Sequence, residues 1–404
     1  MQVVRTPPRS FQRPLSASGQ KEPLEQPVAD YTILYYLNGD NDLREHVSLN
    51  LVKMDRVGVG SGTQAVAALF RGEPVWNCRN LVSKLASLFD SKLPSAVRPD
   101  WRGRKVYQVR GREPGATTRE VQAPGGDRPS HPQSLREFLA WGMRTYPARH
   151  YVLVISGHGA GHRGILPDRY GQRMPIPELA DAVEGGQKDA GRRLAVLALE
   201  GCSMGQVEVA YELRGCADYL LFSPEPLYRT AAPHDKLLDA LASTSPTPLE
   251  LVNTIVHSPD MAQNIPTATA VDLSRMEDMR QQAGEVIQAL KEHKPPETAL
   301  LALYDQARVY GPDRDSRSLV DLGSLARLGL APSSPLAPEV RKELQDLTTV
   351  MGQAIVAHRD SQDPNRSGLS LYNPKGKPDR DYLNLDFPQE SGWGDFIQRR
   401  GRLR

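Results

Sequence analysis

Two short stretches of this sequence hold residues able to do nucleophilic chemistry. In "YVLVISGHGAGHRG", His158 stands three residues beyond Ile155, the end of an apolar run. In "LALEGCSMG", Cys202 stands three residues beyond Leu199, the end of another. A free thiol has a pKa of about 8.5, so near neutrality it needs help to become a thiolate. The segment Ser203–Arg214, stopped by Gly215, is predicted to be a helix with Cys202 at its N-terminus. There the helix dipole and a nearby imidazolium would both favour the thiolate. His158 would protonate a leaving amine as general acid. Gly157 and Gly159 let the backbone approach a substrate carbonyl, and the N–H groups of Gly159 and Cys202 are candidates for an oxyanion hole. The same residues also suit a small core cysteine and a histidine in a turn, and taken alone they leave both readings open.

The surrounding elements favour the reactive reading. Tyr31–Leu37, Ala65–Phe70, Lys105–Val109, Tyr151–Ile155, Leu194–Leu199 and Tyr219–Phe222 are apolar runs of strand length. Helical spacing recurs between them at Leu43–Val57, Cys78–Phe89, Ser134–Thr145, Ile176–Glu184 and Ser203–Arg214. This alternation predicts an α/β fold, a mostly parallel six-stranded sheet flanked by helices. Such sheets react at the carboxyl ends of their strands, where His158 and Cys202 fall at matching offsets. Pro114–Pro132 and Arg163–Pro175 read as polar loops. After about residue 240 the pattern is mainly helical, including Thr298–Val309 and Pro338–Ala357, with "GLSLYN" as a further strand. The expected organisation is an arm over 1–29, an α/β core over 30–240 and a mostly helical region over 241–404.

Composition narrows the function. Over 404 residues, 24% are charged and the formal net charge is +2, which calls for no nucleic-acid partner. No run of eighteen apolar residues suggests a membrane span. Three cysteines, Cys78, Cys202 and Cys216, make no disulfide framework. With a proline-rich N-terminus lacking a signal-like apolar core, they suggest a cytoplasmic protein. His158 and His162 have ligand-like spacing, but "HGAGH" is too glycine-rich for a helix, so no metal site is expected and His162 reads as a solvated loop residue. Cys216 reads as packing. Asp40 and Asp42, past the first strand, face the reactive rim; a cap-and-turn role is favoured, with substrate or calcium contact as the other reading.

The chain resembles the clostripain-like cysteine peptidases, relatives of caspases, gingipains and legumains. The resemblance lies in "VLVISGHG", in "VLALEGCSMGQVEVAYELRGCADYLLFSPE", in "ILYYLNGDNDL" upstream, and in "TATAVDLSRM" and "SGLSLYNP…YLNLDFPQESGWGDFI" downstream. It implies a caspase-like fold, His158 and Cys202 as a catalytic dyad, protein or peptide substrates, and cleavage after arginine or lysine. Calcium is implied only as a possible ion, with no organic cofactor, and a monomer is expected. Glu200 and Gly201 replace the family's Asp-Ala. The family's second acid falls near Thr230, where it is missing, and His234 stands in place of a tyrosine. Glu200, Asp42, Glu225, Thr230 and Asp235 are therefore the candidate substrate-binding positions. Relatives are cleaved between the dyad residues, and Arg169 and Arg173 are the expected self-cleavage sites, with Arg192 and Arg193 next. The alternative is a catalytically weak caspase-like module that binds a partner.

Overall fold

The computed structural model describes residues 28–72, 101–227, 234–311 and 318–401. Nine strands among them form one sheet, in the order β10-β8-β7-β6-β5-β1-β2-β3-β4. The strands are β1 (Ala29–Gly39), β2 (Thr63–Arg71), β3 (Gly103–Gln108), β4 (Arg119–Val121), β5 (Ala148–Ser156), β6 (Val196–Glu200), β7 (Tyr219–Phe222), β8 (Thr267–Asp272) and β10 (Ile355–Asp360). Five of them, β2-β1-β5-β6-β7, are mutually parallel. They are the most apolar segments because both faces are covered. In β1, Leu34 and Tyr36 enter one core while Ile33, Tyr35 and Leu37 enter the other. Helices Pro132–Thr145 and Ile176–Ala190 cover the first face, and Arg44–Val57, His234–Ser243 and Pro248–His257 cover the second.

The six expected strands are all present, but the sheet is larger and mixed. β3 and β4 add antiparallel at one edge, β8 and β10 at the other. β4 lies inside the stretch expected as the loop Pro114–Pro132, and the predicted helix Pro338–Ala357 ends at Ala354, its last residues opening β10. Edge strands carry fewer apolar residues, so their hydropathy resembles that of loops. Because β8 and β10 come from beyond residue 240, the sheet does not stop there. Of the arm expected over 1–29, Ala29 already belongs to β1 and residues 1–27 lie outside the described ones. The helix expected at Cys78–Phe89 also lies outside them.

Helices Met276–His293, Glu297–Gln306, Leu322–Leu330 and Pro338–Ala354 make up most of the C-terminal region, with a two-stranded sheet of β9 (Leu319–Asp321) and β11 (Ser370–Tyr372). No described helix is long and apolar enough to cross a membrane. The region is joined to the sheet by buried polar groups. Arg366 is ion-paired to Glu225, beyond β7, and to Asp360 of β10, with Arg366 Nε 2.7 Å from Asp360 Oδ2. Removing one partner of such a pair leaves an uncompensated charge, so the contact fixes where the region sits.

Glu208 makes a second joint. It lies on the short helix Val207–Glu212, fully buried, and its Oε1 accepts from the Tyr372 N–H (2.8 Å) and the Tyr382 hydroxyl (2.8 Å). Its Oε2 has no hydrogen-bond partner among the described residues. Burial pushes the Glu208 carboxyl up to about 7, against the pull of those two donors. A raised acid favours the fold while protonated, so this stability is fully present at low pH and is lost as pH rises through 7. Glu208→Gln keeps an acceptor oxygen and removes the titration. Urea unfolding should find it close to wild type at pH 4.5 and more stable by about 3 kcal/mol above pH 8. Parallel pH profiles for the two proteins would contradict the assignment.

Candidate active site

Strands β5 and β6 pair in parallel up to Ser156 opposite Glu200, and the Gly157 N–H then donates to the Glu200 carbonyl (3.1 Å). His158 and Cys202 follow that last pair by the same count. Neighbouring strands lie about 4.8 Å apart, so the two backbones leave the sheet side by side. Glycines keep them close. A Cβ on Gly159 would stand 2.9 Å from both N and O of Cys202, and one on Gly201 would stand 3.0 Å from Gly159 Cα. Residue 201 therefore faces backbone, and the change from the family's alanine to glycine relieves that contact.

His158 Nε2 lies 2.6 Å from Asp42 Oδ1, both side chains being partly open to solvent. This leaves Nδ1 free to face other groups. Asp42 thus does more than cap a helix; the first helix, Arg44–Val57, has no side-chain cap. On that helix, His46 is held below its usual pKa by burial, with Asp42 and Glu45 pulling up and His158 pushing down. Sequence spacing alone gave no sign of the pair between Asp42 and His158, because 116 residues separate them.

Cys202 is half-buried, and its sulfur is engaged by the backbone beyond β7. The Leu227 N–H donates to Sγ (3.2 Å), and the thiol donates to the Leu227 carbonyl (3.7 Å). The expected helix Ser203–Arg214 begins only at Val207 and ends at Glu212. Ser203 takes φ 59°, a left-handed conformation costly for a side-chain-bearing residue, and its N–H donates to the Glu225 carbonyl (3.0 Å). Cys202 therefore precedes a turn and receives no helix dipole. Cys216 is buried as expected, and burial drives its thiol well up.

The candidate substrate-binding residues scatter. Glu200 shares a face of β6 with Val196 and Ala198, over a cavity of about 70 Å³ against helices His234–Ser243 and Pro248–His257. Its side chain is 12% exposed, and Oε2 lies 3.3 Å from Nε2 of His234, itself 1% exposed. Asp235 is next on that helix, half-buried, and its charge with that of Glu200 adds to the burial that raises the Tyr35 hydroxyl. Glu225 is buried and its charge is taken by Arg366, so it does not face a substrate as expected. Thr230 lies outside the described residues.

The expected open loop Arg163–Pro175 is instead a closed hairpin. Ile165 and Met174 exchange backbone hydrogen bonds (3.0 and 2.8 Å) and are fully buried, as is Leu166. Asp168 accepts from Arg128 (2.7 Å), and Arg169 Nε lies 2.8 Å from the buried Asp40 carboxylate. Its tip, residues 169–173, is exposed, as are Arg163 and Pro175 at its two ends, and Arg173 lies on the tip. Three apolar residues anchor what turn-forming neighbours disguise as a polar loop. His162 is likewise not solvated but buried, between Tyr372 and Tyr382. Among the described residues, no group of three His, Cys, Asp or Glu could hold a metal ion.

Residues 109–355 match the sequence profile of the clostripain family. Clostripain of Hathewaya histolytica is 23% identical over 238 residues, 52% of this chain and 42% of that protein, so the chain spans less than half of this curated relative. An inactive zymogen C11 protease from Parabacteroides distasonis superposes with a TM-score of 0.64 at 18% identity, over 91% of this chain and 99% of the other. A secreted C11 cysteine protease from Bacteroides thetaiotaomicron, solved with an irreversible peptide inhibitor, gives 0.65 at 16% identity over 90% and 99%. These two solved structures share the caspase-like α/β fold seen here. With its strand-end histidine and cysteine inside the matched segment, the chain belongs to the clostripain family.

Proposed function

We propose that the protein is a cysteine endopeptidase, acting on protein or peptide substrates through Cys202 and His158. The observation that carries this reading is the matched departure of both residues from the β5–β6 pair. The Cys202 thiolate attacks the scissile carbonyl carbon, and the backbone N–H groups of Gly159 and Cys202 receive the oxyanion. The C–N bond breaks as His158 gives its proton to the leaving amine, leaving a thioester on Cys202. Water then attacks with His158 as base, releasing the acid product and the thiolate. Asp42 on Nε2 orients the imidazole so that Nδ1 faces the chemistry. Leu227 holds the sulfur and must yield it to substrate, which suits a latent form. No organic cofactor is needed. The three cysteines suit a reducing compartment, so the reading extends to a cytoplasmic monomer, although the Bacteroides relative is described as secreted.

Cys202→Ala and His158→Ala should each lower kcat on a peptide substrate by at least about 10³-fold in folded protein. Asp42→Asn should cost only about tenfold, because solvent screens the exposed pair. Turnover near wild type in either alanine variant would remove the dyad.

Glu200 is the acid nearest the cysteine in sequence, and it supports a preference for arginine or lysine before the cut. A peptide library should show that preference, weakened in Glu200→Gln; selection of apolar residues would exclude Glu200 as a specificity residue.

The exposed tip bearing Arg173, and Arg169 once released from Asp40, are the sites for self-cleavage. Mass spectrometry of aged wild type should find fragments ending there and none in Cys202→Ala. A wild type that stays intact while cleaving added peptides would exclude activation by that route.

A further inference from the structure

His162 and Gln206 occupy equivalent places beside the reactive residues, four positions after His158 and after Cys202. Gln206 Oε1 accepts from the His162 backbone N–H (3.2 Å) and lies 3.2 Å from Nδ1. That backbone donor fixes which end of the amide faces the histidine. On the other edge of the ring, Nε2 is 3.1 Å from Asp379 Oδ2, which also accepts from Arg163 Nε (2.8 Å). The ring packs on Tyr372 at 4.3 Å and Tyr382 at 5.2 Å between centroids. Gly161, at φ +59°, leaves no slack: a Cβ there would stand 1.9 Å from Gln206 Nε2 and 2.9 Å from the Ser203 carbonyl.

We propose that His162 is a positioning residue for the reaction: its backbone N–H ties the His158 loop to Gln206 of the Cys202 loop, and its ring ties both to the distant segment around Asp379. The proposal rests on the peptidase reading of those two loops. Regular β5–β6 pairing stops at Ser156 and Glu200, so the thiol–imidazole geometry depends on what joins the loops beyond it. An error of about 1 Å there costs roughly a hundredfold in rate. Burial holds His162 below its usual pKa, outweighing the pull of Asp379, so near neutrality the ring carries one N–H. The carboxylate is the stronger acceptor, so the proton sits on Nε2, toward Asp379; Nδ1 carries none to give Gln206 Oε1, which is held by the His162 backbone N–H instead. Packing between two tyrosines alone would ask only for a flat ring.

His162→Phe keeps the ring and the backbone N–H but loses the hydrogen bond to Asp379; His162→Gln places an amide N–H near the Nε2 position. The Phe variant should lose about 10- to 100-fold in kcat with KM within about twofold, and the Gln variant should recover to within about threefold of wild type. Asp379→Ala should lose as much as His162→Phe, and the double variant no more than either. A Phe variant within twofold of wild type, or a Gln variant as impaired as Phe, would overturn the clamp. Should His162→Phe not fold, Asp379→Ala carries the test, since its side chain is 36% exposed. A wild type that cleaves no peptide would sink the peptidase reading instead. The clamp is then read from the rate of iodoacetamide alkylation of Cys202, followed by mass spectrometry. Asp379→Ala should slow it several-fold, and equal rates would overturn the proposal.

Discussion

The structure depends on one constraint, the contact of bare backbone where β5 and β6 leave the sheet. Gly159 lies against the main chain of Cys202 at distances that exclude a Cβ, and Gly201 lies close against Gly159. Parallel pairing supplies the alignment, and the glycines remove what would push the strand ends apart. Asp42 just past β1, Leu227 beyond β7 and His162 just ahead of the hairpin all reach inward to this point. Each is placed by a different element, so the site samples almost the whole width of the parallel sheet.

The C-terminal region is part of that arrangement. It supplies β8 and β10 to the sheet, Arg366 to Glu225, Tyr372 and Tyr382 to Glu208, and Asp379 to His162. In each of these contacts at least one polar partner is buried, and a polar group buried without its partner is costly. The segment 360–382 therefore has few places to rest, and those places touch both loops that follow the reactive residues.

The central strands and the adjacent placing of His158 and Cys202 at their ends were legible in the sequence because burial on both faces writes itself as continuous apolar runs, and because strand-end offsets can be counted. The edge strands were not, since β4 and β10 lack such runs. The helix after Cys202 was overextended: "SMGQVEVAYELR" has helical spacing, but Ser203 and Gly205 are held by the β7 loop, through Glu225 and Ser223. Tertiary hydrogen bonds overrode local propensity there. The partners of Glu225 and His162 could not be foreseen, because Arg366 and Asp379 lie 141 and 217 residues away. Polar pairing at such range leaves no periodic trace.

The strand order has a bearing on a cut chain. Everything before the hairpin tip contributes β1 to β5, and everything after it contributes β6 to β11. In the sheet these are two unbroken blocks, β4-β3-β2-β1-β5 and β6-β7-β8-β10, that meet only along β5 and β6. A nick at the tip would turn one protein into a heterodimer whose subunit boundary runs between His158 and Cys202. Its refolding would become bimolecular and dependent on concentration. Each half alone would bare a central, apolar strand edge of the kind that invites aggregation. Once parted, the halves would regain their common sheet only where both are present at sufficient concentration and neither has aggregated first.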